Sequence, residues 1–242
     1  KHYPKGIPLE KHLNNKNMFR DEVAAAYQEI QDSICEGLQL ADGKAKFEEE
    51  LWQRDGGGGG RTRVMQNGNV IEKGGVNFSA VHGKLPEAVK NAFKVDSDDF
   101  FATGVSIVMH PDNPFVPIIH MNIRYFEMDE QTRWFGGGID LTPHYVIPTD
   151  ARFFHHRLKQ TCDEFDASFY PKFKATADDY FFIKHREETR GVGGIFYDRL
   201  KPESTGLDFD QILAFSKAVG NTFLPVYTEL IDRNRDREFS EA

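Results

Sequence analysis

Ser106-Ile-Val-Met-His110, then His120-Met-Asn-Ile-Arg-Tyr-Phe126, then Trp134-Phe-Gly-Gly-Gly-Ile-Asp140-Leu-Thr142: these three runs decide the fold. A Pro-rich turn from Pro111 to Pro117 joins the first two, and a short acidic turn joins the second to the third. Side chains on a strand alternate between its faces with a period of two. Ser106, Val108 and His110 therefore share a face, with Val105, Ile107 and Met109 on the other. His120, Asn122, Arg124 and Phe126 share a face, and Ile119, Met121, Ile123 and Tyr125 oppose them. In the third run Gly136, Gly138, Asp140 and Thr142 fall together. Three such strands side by side present one apolar face and one face of Ser, His, Asn, Arg and Asp.

A half-buried antiparallel sheet with a wet outer face is the bland reading. Such a face is usually Lys, Glu and Thr. Here it carries groups that donate, accept and change charge near neutral pH. Pro111, Pro114 and Pro117 stiffen the first turn. The glycines weaken a strand unless something flat must approach its backbone.

Working outward, residues 1–16 read as a polar arm, and Phe19, Val23, Tyr27, Ile30, Ile34 and Leu38 keep helical spacing. Gly37 and Gly43 predict the end of that helix, and Lys46 to Arg54 a second short helix. Gly56 to Gly60 reads as a flexible connector or part of a site, and is neither a P-loop nor a dinucleotide-binding turn. Asn67-Gly68 predicts a tight hairpin turn in Arg63 to Lys73, with a further strand from Val76 to His82. Pro86 opens a short helix to Phe93. Asp150 to Phe169 is a helix with its stripe on Phe154, Leu158 and Cys162, which sets His155 on the stripe's edge and His156 on the far side. Tyr170 opens another helix, Gly191 to Gly194 precede a strand from Ile195 to Tyr197, and Asp208 caps a last helix expected to kink near Pro225.

Composition narrows the class. The 242 residues are 39% hydrophobic and 13% aromatic, ample for a core. A formal charge of −8 argues against a nucleic-acid partner, so an anionic ligand must be held by local arginines. Two cysteines, Cys35 and Cys162, form neither a disulfide framework nor a metal pair and suit a reducing, cytoplasmic setting. No run is long and apolar enough for an integral membrane segment. Strands gather between residues 60 and 142 with helices at both ends. That predicts α+β: one large, mainly antiparallel sheet covered on both faces by helices, in a single domain.

The motifs also carry a resemblance. Ser106–Pro111, His120–Arg124 and Trp134–Pro143, with Glu72–Ser79 and Tyr170–Asp198, resemble the oxygen-dependent coproporphyrinogen III oxidases over nearly the whole chain. The resemblance implies oxidative decarboxylation of two propionates of coproporphyrinogen III to vinyl groups, with O2 as electron acceptor and no organic cofactor. It implies a homodimer, and a further strand and Gly/Arg-containing loop after residue 242. The family pattern His-x-His-Arg places its second His at His155, whereas its first His is Phe153 here and its Arg is His156. Under this reading His120 moves protons and Asp140 accepts pyrrole N–H groups. Arg124 grips a carboxylate, and Ser106 and Asn122 add hydrogen bonds. One rival is a metal-dependent oxygenase or hydrolase, with His110, His120, His155 and His185 as candidate ligands of a divalent ion, although no short ligand motif is present. The other is a tetrapyrrole-binding protein without catalysis.

Overall fold

Seven strands form one antiparallel sheet in a computed structural model that describes residues 15–240. The elements run α1 (Asn15–Asp42), β1 (Glu48–Gln53), β2 (Gly58–Gln66), β3 (Ile71–Lys84), α2 (Glu87–Phe93), β4 (Asp99–Pro111), β5 (Ile118–Glu127) and β6 (Arg133–Thr142). They continue with α3 (Pro148–Asp163), α4 (Phe169–Tyr180), β7 (Phe182–Ile183), β8 (Glu188–Thr189), β9 (Gly194–Leu200), α5 (Pro202–Thr205) and α6 (Phe209–Asn234). The sheet order is β1-β2-β3-β4-β5-β6-β9, a meander closed by β9, while β7 and β8 form a small hairpin of their own.

Alternation divides the sheet. Val105, Ile123 and Ile139 are fully buried on the face covered by α1 and α6. The α1 stripe of Val23, Tyr27, Ile30, Ile34 and Leu38 supplies the matching surface, each such side chain contributing roughly 1.5–3 kcal/mol when fully buried. Phe169 of α4 meets Phe215 of α6 at 5.1 Å between ring centroids, and Phe173 meets Tyr197 of β9 at 5.3 Å. The Asp208 carboxylate accepts from Gln211 N–H and the Gln211 side chain returns the bond, so α6 starts with a capping box and runs through Pro225 as one helix. Among the described residues, α2 covers one end of the opposite face. There Phe93 of α2 stacks on Trp134 at 5.8 Å, above a small cluster of Leu85, Val95 and Met128. Helices thus lie on both faces, but the middle of the second face is open.

Several local expectations are corrected. Residues 48–53 form strand β1 rather than a helix, because β2 offers a partner: Glu49 pairs in register with Arg63 and receives its Nε–H at 2.8 Å. The glycine run is no loose connector, since Gly58–Gly60 belong to β2 and a Cβ on Gly60 would lie 2.3 Å from the Trp52 ring. Residues 71–84 are one strand, not two. Gly37 lies inside α1 against Leu224, and Gly43 with φ +77 ends the helix. The helix read over 150–169 stops at Asp163, and α4 begins at Phe169. The arm read over residues 1–16 lies outside the described residues except for Asn15 and Lys16, which start α1.

The Asn67-Gly68 turn differs in kind. Only Asn67 has positive φ, at +55, and four residues, 67–70, separate β2 from β3. The Asp42 carboxylate organises them, accepting N–H groups from Asn69 at 3.2 Å, Val70 at 2.9 Å and Ile71 at 3.0 Å, as well as Ala45 at 2.8 Å. A Cβ on residue 68 would sit 2.1 Å from Asp42 Oδ2, so the glycine serves close approach and not a left-handed turn. Burial pushes the Asp42 carboxyl up, but the N–H groups of Ile71, Ala45, Val70 and Asn69 outweigh it and hold it at about 2 against an ordinary 3.8. Its stabilising contribution is therefore complete above pH 3.8 and is lost as pH falls toward 2. Asp42→Asn should cost on the order of 2 kcal/mol in urea unfolding at neutral pH. The difference from wild type should narrow as the titration is carried below pH 3.8.

Candidate active site

The open middle of the second face carries the polar residues of the three central strands. Across β4, β5 and β6, Ser106 pairs with Asn122, and Asn122 with Gly138. Val108 pairs with His120, and His120 with Asp140, while Gly104 and Gly136 flank Arg124. Residues in register share a face, so Ser106, His120, Asn122, Arg124 and Asp140 form the floor of one cleft of about 470 Å³. Tyr180, the last residue of α4, and Phe181 and Arg190 from the segment after it form its wall together with Phe196 of β9.

Asp140 is the deepest charge. Its side chain is 4% exposed, and Arg190 Nη2 donates to Oδ1 at 2.8 Å. Oδ2 lies 3.3 Å from His120 Nδ1, without the alignment of a hydrogen bond, and both atoms are buried without a partner. The Arg190 guanidinium stacks 4.2 Å from the centre of the Phe181 ring, and its backbone N–H donates to the Phe181 carbonyl at 3.0 Å. Arg124 donates from Nη1 to Asn122 Oδ1 at 2.8 Å and from Nη2 to Asp198 Oδ1 at 3.1 Å. The floor thus presents an arginine at one end and an acceptor oxygen beside an imidazole at the other.

The glycines of β6 serve the protein's own side chains first. A Cβ on Gly136 would lie 2.8 Å from Arg124 Nε, one on Gly138 would lie 3.1 Å from Phe196 Cδ2, and one on Gly137 would meet the Tyr197 hydroxyl at 2.7 Å on the core side. Flat side chains lie across β6 because it has none of its own at these positions.

The four candidate metal ligands are not brought together. His110 is exposed two residues along β4 from Val108, the neighbour of His120, and His185 is exposed in the turn between β7 and β8. His155 is already engaged: its Nε2–H donates to the Val192 carbonyl at 2.9 Å, and the Tyr170 hydroxyl donates to Nδ1 at 3.1 Å. Among the described residues no group of three or more His, Cys, Asp or Glu is arranged to hold a metal ion. These donors do not fit a divalent ion. The helical phase was sound, since His155 is partly buried and His156 exposed. Its role is to pin Val192, two residues beyond Arg190.

Sequence reasoning missed Asn77, Arg190, Tyr180, Phe181 and Phe196. Strand parity over 76–82 already set Asn77 opposite buried Val76 and Phe78, in register with Ser106. Nothing local in the sequence shows that Arg190 pairs with Asp140, fifty residues earlier.

With that geometry in place, comparison with known proteins is direct. The family model described as coproporphyrinogen III oxidase matches residues 22–242. The chain belongs to the coproporphyrinogen III oxidase family. Coproporphyrinogen-III oxidase 1, chloroplastic, of Arabidopsis thaliana is 46% identical over 228 residues, 87% of this chain and 58% of the relative. The oxygen-dependent coproporphyrinogen-III oxidase, chloroplastic, of Nicotiana tabacum is 44% identical over 246 residues, 94% of this chain and 60% of the relative. The oxygen-dependent coproporphyrinogen-III oxidase of Prochlorococcus marinus is 43% identical over 235 residues, with 88% and 67% covered. This coproporphyrinogen III oxidase family chain therefore spans about three fifths of the length of its plant relatives.

Burial holds the His155 imidazole below its ordinary value of 6.5, so the folded protein favours the neutral ring. That contribution is complete above pH 6.5 and declines as pH falls below it. His155→Gln should remove this part of the acid loss of stability, and His155→Ala should lower stability by about 1–3 kcal/mol by stranding the Val192 carbonyl. Thermal melts of both variants across pH check the two outcomes.

Proposed function

We propose that this chain catalyses the oxidative decarboxylation of two propionates of coproporphyrinogen III to vinyl groups, giving protoporphyrinogen IX, with O2 as electron acceptor and no organic cofactor. Family membership supports the reading, and one observation carries it: a buried carboxylate at the cleft floor with one oxygen clamped by Arg190 and the other without a hydrogen-bond partner, 3.3 Å from His120 Nδ1. The proposed substrate is a flexible macrocycle with inward-pointing pyrrole N–H donors and peripheral carboxylates. Asp140 Oδ2 accepts pyrrole N–H groups and offsets positive charge as electrons leave the ring. Arg124 grips a propionate, and Ser106 and Asn122 line the same floor. His120 has the side chain suited to proton transfer near neutrality. For each propionate, the β-carbon loses a hydrogen and its electron pair, carbon dioxide leaves, and O2 with one proton becomes hydrogen peroxide. No step is routed through a metal, since the four histidines form no donor set.

Two further expectations go with this reading. The first is a homodimer, checked by sedimentation of the full-length protein at micromolar concentration, where a single monomer boundary overturns it. The second is location. Cys35 and Cys162 are free and buried, which agrees with a cytoplasmic, reducing setting, whereas the names of the plant relatives specify the chloroplast. Imaging of the tagged full-length protein decides between these compartments. No helix among the described residues is long and apolar enough to cross a membrane.

The test of the reaction is incubation of the full-length protein with coproporphyrinogen III in air and without oxygen. The vinyl product should form only in air, and its absence in air overturns the reading. Asp140→Asn leaves Arg190 facing an amide, so it should fold with a lowered melting temperature, and at a temperature where it is folded it should lose roughly 10²–10³ in kcat, the loss seen when one preorganised electrostatic partner is removed. Arg124→Ala should act mainly on KM, because a carboxylate contact is made in ground and transition states alike; an unchanged KM with a collapsed kcat contradicts this.

A further inference from the structure

Asp198 sits where β9 departs from regular pairing. Gly137 pairs with Tyr197 and Phe135 with Leu200, so Asp198 and Arg199 together oppose Gly136. An extra residue in one strand is a β-bulge, a device that re-aims side chains beside active sites. Arg199 takes φ +50, a left-handed conformation that a side chain disfavours. The bulge sends both residues to the open face. Arg199 lies over Phe93 and Trp134 at 5.5 and 5.9 Å, and Asp198 accepts from Arg124 Nη2 at 3.1 Å. The same contact uses the missing side chain of Gly136, where a Cβ would lie 2.7 Å from Asp198 Oδ1 and 2.8 Å from Arg124 Nε.

The bulge, the strained φ and the glycine all accommodate an ion pair whose side chains are 37% and 46% exposed. An exposed pair contributes little to stability, so the fold does not account for the arrangement. Arg124 is the arginine of the cleft floor, and what it holds is a carboxylate. We propose that Asp198 is a specificity-determining residue: its carboxylate occupies Arg124, and a ligand carboxylate must displace it. This rests on the reading that a propionate of coproporphyrinogen III reaches Arg124. Asn122, bonded to Nη1 at 2.8 Å, keeps the guanidinium aimed during the exchange. A ligand without a carboxylate leaves the internal pair intact, so affinity is surrendered for selectivity.

The experiment is a binding titration of coproporphyrinogen III without oxygen, which prevents turnover, on full-length wild type, Asp198→Asn, Arg124→Ala and the double variant. Asp198→Asn should bind roughly two- to five-fold tighter, the range set by an exposed ion pair. Its melting temperature should stay at the wild-type value, and the gain should vanish in the Arg124→Ala background. Asp198→Ser removes the same charge and should act in the same direction. Unchanged or weaker binding in these variants overturns the proposal, as does failure of both to fold, because a displaceable contact is not needed by the fold. Absence of wild-type binding defeats the substrate reading itself, whereas wild-type binding with no gain in the variants defeats the role of Asp198 alone.

Discussion

The ion pair between Asp140 and Arg190 is the constraint around which one end of the molecule is arranged. An ionised carboxylate with 4% of its side chain exposed is costly to bury without a partner. Arg190 supplies that partner at 2.8 Å, and most of the nearby structure keeps Arg190 in place. The Phe181 ring and carbonyl hold it from one side. Beyond it, Val192 donates to the Leu141 carbonyl at 3.0 Å, and Leu141 donates to the Gly193 carbonyl at 3.1 Å. His155 and Tyr170 pin Val192 from α3 and α4. Two helices, a small hairpin and a strand thus converge on one carboxylate, and only one of its oxygens is satisfied.

The sheet explains how such a site coexists with a large core. A period of two lets Ile119, Met121 and Ile123 face α1 and α6 while His120, Asn122 and Arg124 face the cleft from the same strand. Three glycines in the neighbouring strand then let Arg124, Phe196 and Tyr197 lie across it on the two faces. A substitution at Gly136 or Gly138 crowds the cleft face, and one at Gly137 crowds the core face.

What could be read from the sequence follows the same physics. Strand parity in 106–142 placed Ser106, His120, Asn122, Arg124 and Asp140 on one face, because alternation is a local rule and those three strands are consecutive neighbours. Arg190 was out of reach because β9 pairs with β6 across a long connection. The helix expected over 46–54 failed for a related reason: Glu49 and Trp52 gain partners only once β2 lies beside them. The metal reading of His155 failed because its helical phase shows where the ring points but not that Val192 and Tyr170 already occupy both nitrogens.

Under the proposed function, the open face of the sheet holds the macrocycle with its pyrrole nitrogens over Asp140. The most direct measurement is a crystal structure of the full-length protein grown without oxygen in the presence of coproporphyrinogen III. The account predicts pyrrole nitrogens within hydrogen-bond distance of Asp140 Oδ2 and a propionate on Arg124. A macrocycle bound elsewhere, or one that leaves Oδ2 without a partner, would contradict it.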